Sequence, residues 1–283
     1  MTVPPLRCGG SWVRFGRRTL VMGIINMAPD SFAGDGLAGD AGAAEARALE
    51  MQAAGADLLD VGGQSTRPGA PAVEVEEELR RTIPAVRRLA GVGVPLSVDT
   101  FSARVAAAAL DAGAAMVNDI SALRRDAEMA PFLVRAGVPV VLMDWNVRHG
   151  AVDVVADTLA FLQTRIAAAV AAGISEAQII VDPGYGFGLT VGQNMEVLRR
   201  LRELAVLGRP ILIGTSRKGS IGRVLNLPVE DRLEGTAATV AVAIIHGADI
   251  VRAHDVRAIV RVARMTDAIV RGWPPQQGEG PPR

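Results

Sequence analysis

The chain has 283 residues, 49% of them hydrophobic, which is ample for a large core and excludes a disordered polymer. Thirty basic side chains balance 30 acidic ones and only 4% of residues are aromatic, so nothing marks a nucleic-acid binder. A lone cysteine, Cys8, can form neither an internal disulfide nor a thiolate metal cage, which points to a reducing cytoplasm.

Residues 1–10 lack the basic start and sustained apolar run of a secretory signal, and residues 6–19 read as a hairpin. Short apolar runs then recur at 20–25, 57–61, 95–99, 115–119, 138–143, 178–182, 210–214 and 248–251. They are Val, Ile, Leu and Met with little alternation, as parallel strands covered on both faces require. Helix-length segments separate them at 41–54, 75–89, 103–112, 153–172, 193–204, 231–246 and 256–269, with a shorter candidate at 126–136. Gly55, Gly113 and Gly247 each stand where a helix stops and a strand begins. The longest apolar stretch, 237–245, is too short to cross a bilayer, so no membrane association is expected.

Eight strand–helix repeats in this length predict one (β/α)8 TIM barrel over 20–272, with a doubly wound open sheet as the rival. Residues 1–19 would plug its N-terminal mouth, and 273–283, rich in Pro, Gly and Gln, read as a disordered tail. No interdomain linker is visible.

Barrel chemistry gathers where strands end. In chain order those ends carry Asn26, then Gly62-Gly63 with Thr66-Arg67, then Asp99, Asn118, Asp144, Asp182, Ser216-Arg217-Lys218, and Arg252 with His254. Any single Asp or Asn there more often caps the following helix. Eight ends converging on one mouth carry more weight. Arg67, Lys218, Arg252 and His254, from strands two, seven and eight, expected to be neighbours once the barrel closes, imply an anionic ligand such as a phosphate. Lys218 is the single lysine among 30 basic residues, which weakens its reading as an incidental surface charge. Ionised Asp99 and Asp182 accept hydrogen bonds only, and beside the Asn118 amide they suit a ring rich in N–H donors.

Other patterns are weaker. Gly184-Tyr185-Gly186-Phe187-Gly188 lacks the spacing and downstream acid of a dinucleotide fingerprint. His149 and His246 are isolated, and no cluster has zinc spacing. A hard cation such as Mg2+ needs one side-chain oxygen when substrate phosphates supply the rest.

These motifs resemble the dihydropteroate synthase family, the folate-pathway enzymes targeted by sulfonamides. Gly23-Ile24-Ile25-Asn26-Met27-Ala28-Pro29-Asp30-Ser31-Phe32 is similar to the family's first loop signature, and Asp60-Val61-Gly62-Gly63-Gln64-Ser65-Thr66-Arg67-Pro68-Gly69 to its second. Ser97-Val98-Asp99-Thr100, Val117-Asn118-Asp119-Ile120, Asp182 to Gly188, Ser216-Arg217-Lys218 and Arg252-Ala253-His254-Asp255 follow in family order. The likeness runs from about Leu6 to Ile269.

The resemblance implies condensation of 4-aminobenzoate with (7,8-dihydropterin-6-yl)methyl diphosphate, giving 7,8-dihydropteroate and pyrophosphate. It implies that Asp99, Asn118 and Asp182 hold the pterin, that Lys218 touches both substrates, and that Arg252 stacks on the ring. Asn26 would bind Mg2+, while Arg67, Arg252 and His254 bind the diphosphate. Thr66 and Ser216 would line the mouth, and Phe187 would wall the aminobenzoate side. A homodimer is also implied.

The sequence departs from the family at Ala28, at Ala33-Gly34-Asp35-Gly36, at Gln64 and at Asp144. The nearest rival is a pterin-binding methyltransferase domain, which has no use for a diphosphate clamp. A non-catalytic pterin-binding relative is the other.

Overall fold

The computed structural model describes residues 5–29, 36–64, 73–147 and 150–273. Two short strands, β1 (Leu6–Cys8) and β2 (Ser11–Val13), pair antiparallel as a hairpin. Eight parallel strands follow: β3 (Leu20–Asn26), β4 (Leu58–Gly62), β5 (Leu96–Asp99), β6 (Met116–Asp119), β7 (Val140–Met143), β8 (Ile179–Asp182), β9 (Leu212–Ile213) and β10 (Ile250–Ala253). Between and after them lie α1 (Ala41–Ala53), α2 (Val75–Leu89), α3 (Ala103–Asp111), α4 (Met129–Ala136), α5 (Val154–Ala171), α6 (Val191–Arg199), α7 (Gly219–Leu225), α8 (Leu233–Ile245) and α9 (Val256–Arg271).

The sheet runs β8-β7-β6-β5-β4-β3-β10-β9. A bridge between Val181 and Ile211 joins its two ends, with the Val181 amide donating to the Pro210 carbonyl at 3.0 Å. That closure makes the sheet a barrel and removes the open-sheet alternative.

Strand residues alternate between the two faces, and the barrel uses the alternation along its axis. Leu20, Met22, Leu58, Met116, Val141, Ile180, Leu212 and Ile250 form one buried cluster inside the N-terminal half. Leu6, Cys8 and Val13 of the hairpin belong to the same cluster, so β1 and β2 seal that mouth. Burying Leu6 alone is worth roughly 1.5–3 kcal/mol. Arg18 pairs with Asp57, and Thr19 donates to Asp267 through its amide and its hydroxyl, tying the hairpin's exit to the barrel. A second, larger cluster fills the layer between strands and helices.

Several boundaries differ from the sequence reading. The strand expected at 210–214 is only Leu212–Ile213, since Pro210 has no N–H and the Ile211 amide turns to the Asp249 carboxylate. The last strand runs Ile250–Ala253, so Arg252 lies inside it rather than beyond its end. The helix expected from 193 starts earlier, where Thr190 and Gln193 form a capping box, and gives way to 3-10 turns after Arg200. Helix α7, containing Gly219 and Gly222, was not foreseen.

At 18 residues, α5 is long and apolar enough to span a bilayer by composition. It packs on the barrel through Val154, Val155, Leu162 and Ala169, and its Arg165 donates to the Ala122 carbonyl. Residues 273–283, apart from Trp273, lie outside the described residues.

Candidate active site

The same alternation that points apolar side chains into the lower barrel points polar ones into the upper half. Two residues beyond Met116 comes Asn118, beyond Ile180 comes Asp182, and beyond Ile250 comes Arg252. Asn26, Gly62, Asp99 and Asn118 are register partners across four neighbouring strands. A cavity opens above this level. Polar groups from Asp99, Asn118, Asp182, Lys218 and Arg252 line it, with Ser216 and His254 at one side. Ile24, Ile120, Met143 and Phe187 supply the apolar walls.

A network organises the floor. Arg252 donates through Nε to Asp60 Oδ2 at 2.7 Å and through Nη2 to Asp99 Oδ2 at 3.1 Å. Asn118 Nδ2 donates to the same Asp60 oxygen at 2.9 Å. Burial, reinforced by the Asp60 charge and opposed by Arg252, pushes the Asp99 carboxyl up to about 7.

Across the cavity, Asp182 Oδ1 accepts from the Gly184 amide at 2.7 Å, and burial pushes this carboxyl upward too. Lys218, at the cap of α7, donates to the Tyr185 carbonyl at 2.9 Å and holds its Nζ 3.9 Å from the Phe187 ring centroid. Burial pushes the ammonium down, while the Asp182 charge resists. Trp145 meets the Phe187 ring edge-on at 5.9 Å, fixing it from behind.

Ser216 Oγ accepts from the His254 amide at 3.2 Å and lies 2.9 Å from its Nδ1, which settles the imidazole at the cavity rim. Arg217, with φ +56°, turns away from the cavity to a two-pronged pair with Asp255.

Gly184 explains the glycine-rich stretch after β8: its φ is +73°, and a Cβ there would lie 1.8 Å from the Asp144 carbonyl oxygen. The stretch is therefore a close crossing of two loops.

The structure thus brings Asp99, Asn118, Asp182, Phe187, Ser216, Lys218, Arg252 and His254 around one cavity. Asn26 stands on the same register level, with Oδ1 accepting from the Ala28 amide at 2.9 Å. Thr66 and Arg67 lie outside the described residues, as do Ala33, Gly34, Asp35 and His149. Strands two and eight, taken as neighbours in the sequence reading, have strand one between them, because β10 and β4 both pair with β3. His246 caps the C-terminus of α8. Asp60 went unremarked as a site residue, although a carboxylate inside the run Leu58-Leu59-Asp60-Val61 of a doubly covered strand demands a partner.

The pterin binding enzyme family profile matches residues 22–254. The dihydropteroate synthase of Bacillus subtilis (strain 168) is 45% identical over 261 residues, 92% of each chain. The chain belongs to the dihydropteroate synthase family of pterin binding enzymes. The Xanthomonas albilineans dihydropteroate synthase with 4-aminobenzoic acid superposes with a TM-score of 0.89 at 43% identity, covering 95% of this chain and 98% of that one. The structure of that synthase in complex with 7,8-dihydropteroate gives 0.85 at 41% identity, covering 94% and 98%. Of the family departures, Asp144 is buried beside Asp182 and accepts from Asn146 Nδ2 at 2.5 Å.

Proposed function

We infer that this enzyme is a transferase condensing 4-aminobenzoate with (7,8-dihydropterin-6-yl)methyl diphosphate to form 7,8-dihydropteroate and pyrophosphate. The observation that carries this reading is the convergence of Asp99, Asn118 and Asp182 on one cavity whose other side holds Lys218 and Arg252. The carboxylates accept from the ring N–H and amino groups of the pterin. The Arg252 guanidinium, held by two carboxylates, lies flat against the ring. Lys218 reaches from the pterin side to the aminobenzoate, which packs on Phe187.

The reaction breaks the bond between the C6 methylene and the diphosphate oxygen, and the electron pair leaves with pyrophosphate. Arg252 and His254 neutralise the charge that develops there. The aniline nitrogen then bonds to the electron-poor methylene and passes its proton to the departing pyrophosphate or to solvent. A weakly basic aniline attacking a cation needs no strong general base.

A hard cation fits this donor set. Asn26 Oδ1 uses one acceptor site on the Ala28 amide and has a second lone pair. Among the described residues no group of three His, Cys, Asp or Glu side chains forms a self-sufficient metal site. Asn26 would hold Mg2+ together with the diphosphate oxygens, and the ion would supply neutralisation of the leaving group.

The exposed apolar side chains Val242, Ile245, Met265 and Ile269 on α8 and α9 support a homodimer. The unpaired, buried Cys8 supports a cytoplasmic location. An assay for pyrophosphate release tests the reaction: release should require both the pterin diphosphate and 4-aminobenzoate. Release without aminobenzoate, or methyl transfer to a corrinoid in its place, would overturn the reading.

A further inference from the structure

We infer that Asp60 is a positioning residue for pterin recognition, its Oδ2 fixing both the plane of the Arg252 guanidinium and the face that the Asn118 amide turns to the ligand. The inference rests on the pterin reading of the cavity. Asp60 is fully buried, one register level below Gly62 and Asp99, and is not among the residues lining the cavity. It therefore acts through others.

Two donors share one oxygen. With Nε bonded to Asp60, Arg252 can turn only about that bond, and its Nη2 contact to Asp99 removes the remaining freedom. Asn118 has two chemically opposite ends, and committing Nδ2 to Asp60 leaves the amide oxygen as the acceptor for the ligand. An amide turned the other way would set N–H against N–H. Asp60 Oδ1 and the hydroxyl of its strand partner Ser97 are both buried and without partners among the described residues. A carboxylate kept so incompletely satisfied costs stability, which a merely structural residue would not require.

The charge also reaches the neighbour that touches substrate. Around Asp99 stand Asp60 of β4, Glu78 of α2, Asp119 of β6 and Arg252 of β10, with Lys218 across the cavity. Removing the negative charge of Asp60 lets Asp99 ionise more easily, so the acid limb of kcat/KM should move to lower pH.

The test is steady-state kinetics of Asp60→Asn, near-isosteric and uncharged, with Asp60→Ser as the variant that also removes the acceptor geometry. Both are first checked for cooperative melting. KM for the pterin diphosphate should rise roughly 10–100-fold, as loss of charge-assisted bonds implies. KM for 4-aminobenzoate should stay within about twofold, because Asp60 does not reach that side. In Asp60→Asn the acid limb should also move to lower pH. A folded variant with unchanged pterin KM, or with an unmoved acid limb, overturns the inference. So does failure of both variants to fold, since Asp60 would then be structural only. Calorimetric binding of the pterin diphosphate to the unaltered enzyme separates the two levels. If it does not bind, the pterin reading falls and takes this inference with it; if it binds but ignores Asp60, only the inference falls.

Discussion

Lys218 crosses directly over Gly186: a Cβ on that glycine would lie 2.6 Å from Lys218 Cδ and 3.1 Å from its Nζ. The glycine also holds φ at +83°, a region that side chains disfavour. The close crossing sets the height of the ammonium, which then meets the Tyr185 carbonyl and the Phe187 face.

Gly186→Ala should therefore lower kcat/KM far more than it lowers stability. The backbone strain costs about 1 kcal/mol, whereas displacing Lys218 moves the ammonium proposed to touch both substrates. Turnover should drop at least about tenfold while the melting temperature falls by only a few degrees. Near-normal turnover in the folded variant would show that the lysine's height is unimportant.

Lys218 itself is placed at a cost. Burial lowers its folded pKa from the ordinary 10.5 to about 7, so between these values the folded protein binds fewer protons than the unfolded chain. Stability then rises with pH across that window, and the lysine is most destabilising below about pH 7. Lys218→Met should raise stability by an amount on the order of 1 kcal/mol, read as a higher melting temperature, more at pH 6 than at pH 9, while abolishing turnover. Lys218→Arg keeps the charge but brings a planar fork where a compact ammonium fits over Phe187, and turnover should not recover. An Arg variant with near-normal rates would mean that charge alone suffices.

Much of this was legible in the residues. The barrel was legible because eight apolar runs alternate with helix-length segments, and Gly55, Gly113 and Gly247 mark three of the junctions. The polar residues at the strand ends also come together around one cavity, because the C-terminal end of every barrel strand opens at the same mouth. What was hidden depends on pairing across the barrel. Asp60 lies 192 residues from Arg252, and only strand closure shows that they share a bond. Arg217 stands beside Lys218 in the same motif, and only the backbone, with its positive φ, shows that it pairs with Asp255. Helix α7 escaped notice because two glycines mask its propensity, and tertiary packing holds it.

The role assigned to Mg2+ gives a separable outcome. With the ion carried chiefly by the diphosphate and by Asn26, chelation should stop turnover yet leave binding of a dihydropterin lacking the diphosphate unchanged. Asn26→Ala should weaken Mg2+-dependent diphosphate binding roughly tenfold, consistent with loss of one ligand. Isothermal titration of both pterins, with and without chelator, checks this. Tight Mg2+ binding by the substrate-free enzyme would contradict it.

Asp182 offers the sharpest discrimination between the two substrates. Its Oδ1 is committed to the Gly184 amide at 2.7 Å, so the other oxygen is the one free to serve the cavity. In Asp182→Asn the amide oxygen should keep the Gly184 bond, because the nitrogen cannot accept from an N–H. The Nδ2 donor is thereby forced toward the ligand. A pterin edge made of N–H groups then meets N–H, turning a charge-assisted bond into a mismatch. Loss of that bond costs about 1.5–3 kcal/mol, or roughly 10–100-fold in pterin affinity. With the aminobenzoate on the Phe187 side, as proposed, it should feel little of this, so its KM should stay near the original value. The substitution replaces one planar group by another of equal size and leaves the Gly184 turn intact, so the variant should fold. Titration of the pterin diphosphate into folded Asp182→Asn is the measurement, with an affinity drop expected. Unchanged affinity would mean that Asp182 serves the loop and not the ligand.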